Sequence, residues 1–241
     1  MIGTIINFAA VIVGSLLGNF LGARLSEKLR QTVISGLGLF TLVLGVQMFL
    51  NTKNALIVLG SVLIGALLGE WWQIEAGLEK LGAWLEKKFS RGEAGAKDQE
   101  NFIKGFLTAS LVFCIGPMAI LGSIQDGLTG KFDLLAVKST LDGFASLAFA
   151  SSLGLGVAFS ALPVLVYQGA LTLMARQLQP LMSEAMIAEM TATGGVLLVG
   201  IAISGLLEIK KIRVGNFLPA LVIAPLLVAL LTWWGSVNGA H

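Results

Sequence analysis

The chain has one cysteine, Cys114, and one histidine, His241, in 241 residues. A lone cysteine excludes an intramolecular disulfide. With that histidine the last residue of the sequence, no Cys/His metal centre, Ser-His-Asp triad or Cys-His dyad is expected, unless a partner chain supplies the missing group. No Walker loop and no glycine-rich dinucleotide fingerprint occurs. Charge is scarce too: Asp, Glu, Lys and Arg make up 12% of residues, against about 25% in a soluble domain. The net charge of +2 implies no nucleic-acid partner. No enzyme chemistry, metal site or cofactor is expected.

What is there is apolar sequence, 56% of residues, with a mean hydropathy of +0.87 and thirty glycines. The glycines lie within the apolar runs, where they let helices approach closely. Lipid is the solvent this composition calls for. The fold class expected is an all-α polytopic transmembrane bundle of about eight spans, one membrane domain over residues 1–241.

A span needs about 20 apolar residues. Ile2 to Ala23 is the first, with Gly14, Gly18 and Gly22 as a small-residue packing stripe. A cleaved signal peptide is the rival reading, but the run is long and lacks a basic start. Gln31–Asn51 is the second span and Ala55–Trp72 the third, ending in a Trp pair suited to the interface. Residues 74–101 hold a surface helix and a linker: Ile74, Leu78, Leu81 and Leu85 share one face of an amphipathic helix, and Ser90–Glu100 is polar and Gly/Ala-rich. Phe102–Leu128 is the fourth span, broken at Gly116-Pro117. The fifth runs over Leu134–Ala158. Gly143 to Ala175 carries no charge, too long for one untilted helix, and Pro163 offers the break before a sixth span over Leu162–Leu178. After a polar connector, Gln179–Glu189, come the seventh span, Met190–Leu207, and the eighth, Asn216–Trp234.

Eight spans with an outside N-terminus put twelve Lys and Arg on the cytoplasmic side, including Lys28, Lys87, Lys104 and Lys210. Only Lys53, Lys131 and Arg176 fall outside. That positive-inside bias predicts extracytoplasmic termini in a bacterial cytoplasmic membrane.

A faint internal repeat aligns Phe8–Gly18 with Phe144–Gly154 and Phe106-Leu-Thr-Ala with Phe217-Leu-Pro-Ala. Two readings stand: a duplication with halves 1–130 and 131–241 in parallel orientation, or a match by shared Gly/Leu/Ala composition.

The residues able to carry chemistry gather between Cys114 and Ser146. Gly116 and Pro117 interrupt a span and free backbone carbonyls, either as a packed kink or as a wall of a wet cavity. Gln125 and Asp126 follow, in a helix-end loop or a re-entrant tip. Lys138 and Asp142 stand at i and i+4, on one helix face, with Ser146 one turn further. If the fifth span begins at Leu134, Asp142 is an intramembrane carboxylate and by default a functional site. If it begins at Gly143, Asp142 is interfacial. Asn7 occupies nearly the repeat position of Asp142, and Tyr167 and Gln168 are the strongly polar side chains of the sixth span. Each lines a path or bridges helices. Glu70 and Glu208 read as solvated helix ends.

Five segments resemble a family of bacterial inner-membrane proteins, the YdfK/YqgA-like family of unknown function. They are Gly3–Gly18, Phe113–Gly130, Leu141–Gly154, Leu162–Ala175 and Leu206–Leu227. The resemblance spans almost the whole chain, implies a polytopic bacterial membrane protein and assigns no substrate.

The leading functional expectation is a small secondary transporter or channel-like carrier for an ion or small solute, coupled to a proton or monovalent cation. Its path would lie where the broken fourth and eighth spans approach the first and fifth. The alternative is a non-transporting scaffold or sensor that works through the surface helix and basic loops. Partners expected are the lipid bilayer, the solute and further copies of the chain as a homo-oligomer.

Overall fold

A computed structural model describes residues 1–89 and 96–238, all helix and connecting turns with no strand among them. The helices are α1 (Ile2–Gly22), α2 (Glu27–Phe49), α3 (Ala55–Trp72), α4 (Ile74–Phe89), α5 (Ala96–Ile115) and α6 (Pro117–Thr129). They continue with α7 (Asp133–Leu153), α8 (Gly156–Phe159), α9 (Ala161–Leu173), α10 (Ala175–Leu178), α11 (Glu184–Ile201) and α12 (Ala220–Asn238). A π-helical turn, Ala202–Leu206, extends α11.

Six stretches are long and apolar enough to cross a membrane: α1, α2, α3, α8 with α9, α11 with its π turn, and the segment Val214–Trp234. The pair α5/α6, bent by 61° at Gly116, makes a seventh if it is one span. The helix that separates this count from the expected eight is α7. It has 21 residues but carries Asp133, Lys138 and Asp142, and that charge takes it out of the apolar class.

Its packing nevertheless sets it beside α1 along the length of both. Gly14 lies against Gly143, Gly18 against Leu147 and Gly22 against Ser151, so the two helices run parallel at a constant offset. A Cβ at Gly18 would stand 2.8 Å from Leu147 Cα and collide with its carbonyl oxygen. Lipid tails are as apolar as leucine, so such close backbone approach, rather than hydrophobic burial, is what joins helices here. By the same device α2 packs antiparallel to α11 through Gly45 and Gly195, and α3 antiparallel to α12 and the turn before it, Gly65 against Ala220 and Gly69 against Asn216. Between these pairs, Val11, Phe113, Phe149, Leu153, Val157 and Val164 form the main apolar core.

The surface helix forms as expected. Leu85 packs under it against Phe102 and Phe106, whereas Leu81 is exposed, so its apolar face divides between protein and surroundings. Residues 96–100 of the expected linker are the first turn of α5, and 90–95 lie outside the described residues.

Several boundaries differ from expectation: α2 starts at Glu27 rather than Gln31, and α11 at Glu184 rather than Met190, within the expected connector. The fifth helix ends at Leu153, not Ala158, because Gly154 takes a left-handed φ of +80°, open to glycine alone at no cost. Pro163 sits in the first turn of α9, where its missing N–H is no loss, and does not make the break.

Candidate functional site

Lys138 and Asp142 face inward from the second and third turns of α7, 5% and 7% exposed. The Lys138 ammonium donates to Asp142 Oδ2, and the Asn7 amide nitrogen donates to the same oxygen at 3.0 Å. Lys138 also lies 6.0 Å from the centre of the Phe113 ring. Asn7 belongs to the second turn of α1, about 8 Å along that helix at 1.5 Å per residue. Asp142 is level with it, so the carboxylate stands two turns within the bundle, not at its edge.

The polar face of α1 continues toward its start. Thr4 Oγ1 lies 3.4 Å from Thr172 Oγ1, and Thr172 donates to the Gln168 carbonyl one turn back on α9. Asp126 is on α6 with both oxygens engaged: Oδ1 accepts from the Met1 ammonium at 2.9 Å and Oδ2 from Gly3 N–H at 3.1 Å. It therefore caps α1 from outside, satisfying a helix-start donor that has no intrahelical partner. Asp126 lies in the last turn of α6 and clasps α6 to α1.

The hydrogen-bond ledger of this region does not close. Asn7 Oδ1, Ser123 Oγ, Ser146 Oγ, Gln125 Oε1 and both amide atoms of Gln168 are buried without a protein partner. Buried polar atoms are nearly always paired, so Asn7 Oδ1, beside the Asp142 carboxylate, and Ser146 Oγ, one turn further along α7, are open to a further partner. Among the described residues no group of three His, Cys, Asp or Glu could hold a metal.

At the helix break, α5 ends at Ile115, Gly116 is extended, and Pro117 starts α6 as its first residue. The junction is thus a clean restart, not a kink within one helix. The space beside Gly116 is open. Cys114, two residues before Gly116, is within electrostatic reach of both Lys138 and Asp142. It also lines an apolar cleft of about 470 Å³, shared with Tyr167 on α9 and Pro225 on α12. Pro163 of α9 lines the same cleft, with Ile120 and Ile124 of α6. Tyr167 and Pro225 belong to that cleft, whereas Asn7, Lys138, Asp142 and Ser146 belong to the polar cluster.

At the other end of the bundle, Asn216 ties three elements together. Its Oδ1 accepts from Glu75 N–H at 2.8 Å and its amide donates to Glu70 at 2.7 Å. Glu70 pairs with Arg213, and Glu208 with Lys104, so these two helix-end acids stay exposed but bind a neighbour. Glu75, on the surface helix, accepts from Gly215 N–H at 2.5 Å. Burial raises its carboxyl above the ordinary value of 4.5, against the opposing hydrogen bond from Gly215. The folded state then holds this proton to higher pH than the unfolded chain. Its stabilising contribution is complete below pH 4.5 and falls as pH rises through the elevated folded value. Glu75→Gln, permanently neutral, should flatten the dependence of melting temperature on pH above 4.5. Superimposable curves would contradict this.

Glu189 has no signature in the sequence, where it closes a polar connector. It is 1% exposed, and its carboxylate accepts from Thr52 Oγ1 at 2.6 Å, Lys53 N–H at 2.7 Å and Asn54 N–H at 2.9 Å. It thereby fixes the α2–α3 turn to α11. Glu189→Ala strands those donors, and thermal unfolding in detergent should show a loss of about 1–3 kcal/mol. Glu189→Gln, which keeps one acceptor oxygen, should lose less.

A family model described as a protein of unknown function, DUF554, matches residues 2–229. The chain belongs to this family. Among its relatives, the uncharacterized protein YqgA of Escherichia coli (strain K12) is 35% identical over 236 residues, 97% of this chain and 99% of YqgA. The uncharacterized membrane protein YdfK of Bacillus subtilis (strain 168) is 31% identical over 239 residues, 98% of this chain and 99% of YdfK. No solved structure matches. The family relationship and the apolar helices agree that this DUF554 member is a membrane protein.

Proposed function

We propose that the chain is a small secondary transporter or channel-like carrier of the bacterial inner membrane, coupled to a proton or monovalent cation. In this reading α7 is the eighth crossing and both termini are extracytoplasmic. The parallel pairing of α1 with α7, and the antiparallel pairings of α2 with α11 and α3 with α12, are what eight alternating spans require. Parallel repeat halves would also place α1 and α7 in one orientation.

The observation that carries the proposal is the Lys138–Asp142 pair, buried two turns deep among orphaned acceptors. Charges at this depth are costly and are kept where they do work. A cation arriving beside Asp142 competes with Lys138 for the carboxylate, and Asn7 Oδ1, Ser146 Oγ and the Gln168 amide oxygen supply neutral ligands. A proton arriving instead neutralises Asp142 and releases Lys138. Either event changes the charge balance between α1 and α7, and that difference couples ion binding to movement. The open junction at Gly116 and Pro117 gives α6 freedom to move against α5. Asp126 keeps α6 clasped to α1 and takes no part in coupling.

Proteoliposomes loaded with a pH-sensitive dye and challenged with a sodium or potassium gradient should report flux with the wild-type chain. Asp142→Asn should bring it to the level of empty vesicles. Flux unaltered by Asp142→Asn removes Asp142 from the mechanism.

A second reading, a scaffold or sensor, is favoured by α4. Leu81, Trp84 and Phe89 are exposed on it, and Lys88 lies over the rings of Trp84 and Phe89, a composition suited to a membrane surface. Absence of flux under every gradient favours that reading. Either role is compatible with a homo-oligomer built on the outward face of α2, where Gly36 leaves the backbone uncovered.

A further inference from the structure

The apolar cleft has no part in the coupling reaction, and it does not stand alone. It adjoins a second cavity of about 740 Å³, the two sharing Leu107 and Leu111 of α5 as a common wall. This second cavity is a vestibule between α4, α5 and the π turn of α11, and it carries charges of both signs. Lys104 and Glu208 there are paired with each other. Lys80 and Lys211 remain, with Glu75, Glu79 and Glu100.

The cleft differs in every respect. It passes between α5/α6, α9 and α12, and the hydroxyl of Ser110 in its wall already donates to the Phe106 carbonyl. At its rim stand Leu81 and Val222, 44% and 63% exposed, so it opens sideways onto the apolar outer surface of the bundle.

We propose that cleft and vestibule together bind a phospholipid with a zwitterionic head group, drawn laterally from the leaflet on the α4 side. One acyl chain fills the cleft. The phosphate meets Lys80 and Lys211, and the ammonium meets Glu79 and Glu100. A soluble polar solute would find no free hydrogen-bonding group along most of the cleft. An anionic lipid would bring a further negative charge into a cavity where Glu75, Glu79 and Glu100 already outnumber Lys80 and Lys211. Moving a chain from bilayer to cleft removes no apolar surface from water. Retention therefore depends on the head group, and so does selectivity. The site is independent of the transport reading, since it requires no flux.

The test uses the full chain in phosphatidylcholine liposomes with a trace of phosphatidylethanolamine bearing a diazirine on one acyl chain. After illumination, labelled positions are mapped by peptide mass spectrometry. Label is expected on Cys114 and Ile120, which annular lipid does not reach, as well as on outward-facing Phe40 and Leu67 as internal reference. Val222→Trp, at an exposed rim position that leaves the core intact, should lower cleft label about tenfold relative to that reference. Cleft label relative to that reference should rise when phosphatidylglycerol replaces the phosphatidylcholine matrix, whose zwitterionic head group competes for the site, and should fall again when unlabelled phosphatidylethanolamine is added. Label confined to Phe40, Leu67 and other outward positions overturns the proposal. So does cleft label that Val222→Trp leaves unchanged, or that the exchange of phosphatidylcholine for phosphatidylglycerol leaves unchanged.

Discussion

Asp142→Ala should destabilise the protein by about 3–5 kcal/mol, the range for removing one partner of a buried ion pair. The cost comes from what remains. Lys138 is 5% exposed, and its ammonium donates only to Asp142 among the described residues. The Asn7 amide would also lose its acceptor. Lys138→Ala should be comparably damaging, since it leaves the carboxylate with one neutral donor. The paired change Lys138→Met with Asp142→Asn removes both charges and keeps an amide carbonyl to accept from Asn7. It should recover most of the loss, because replacing a buried pair with neutral groups of similar volume is often nearly free. Chemical or thermal unfolding in one detergent measures all three. If the double variant is no more stable than either single one, the pair is not the isolated buried unit described above.

Gly18→Val should be as damaging by a different route. Any Cβ there meets the Leu147 backbone, which cannot give way as a side-chain tip can. Overpacking a tight contact costs about 1–3 kcal/mol and occasionally more, and a branched side chain on a backbone-to-backbone seam belongs at the upper end. The effect propagates, because α1 and α7 also hold the Asn7–Asp142 hydrogen bond between them. Separating the helices breaks the site along with the seam. Gly36→Ala is the control: nothing lies within 4 Å of a Cβ there, and alanine in place of a mid-helix glycine gains roughly 1 kcal/mol. The two substitutions should therefore move the melting temperature in opposite directions. A Gly18→Val protein as stable as wild type would contradict the parallel seam.

Much of the architecture was legible because lipid imposes simple rules. Residues 74–89 read correctly as an amphipathic helix, since charged and apolar residues recur there at helical spacing. Lys138 and Asp142 were legible as a pair by their i, i+4 spacing, and Gly14, Gly18 and Gly22 as a packing stripe. Less was legible where no charge marks the chain. Between Gly143 and Ala175 periodicity is silent, and the actual stop depends on the backbone of Gly154, not on Pro163. The π turn at Ala202–Leu206 has no signature either. Partners across the fold were the least accessible. Asn7 meets Asp142 only because α1 and α7 run parallel. Asp126 and Glu189 cap helix starts through backbone N–H groups, which every residue but proline carries and which leave no trace in a sequence.

In the proposed transporter the Lys138–Asp142 pair couples ion binding to transport, and does not serve folding alone. The most direct measurement is cation-gradient-driven pH change in proteoliposomes carrying the Lys138→Met/Asp142→Asn double variant, chosen because it should fold. The account predicts wild-type insertion and near wild-type melting together with flux no higher than in empty vesicles. Flux at the wild-type rate from that well-folded variant would contradict it and leave the pair a structural one.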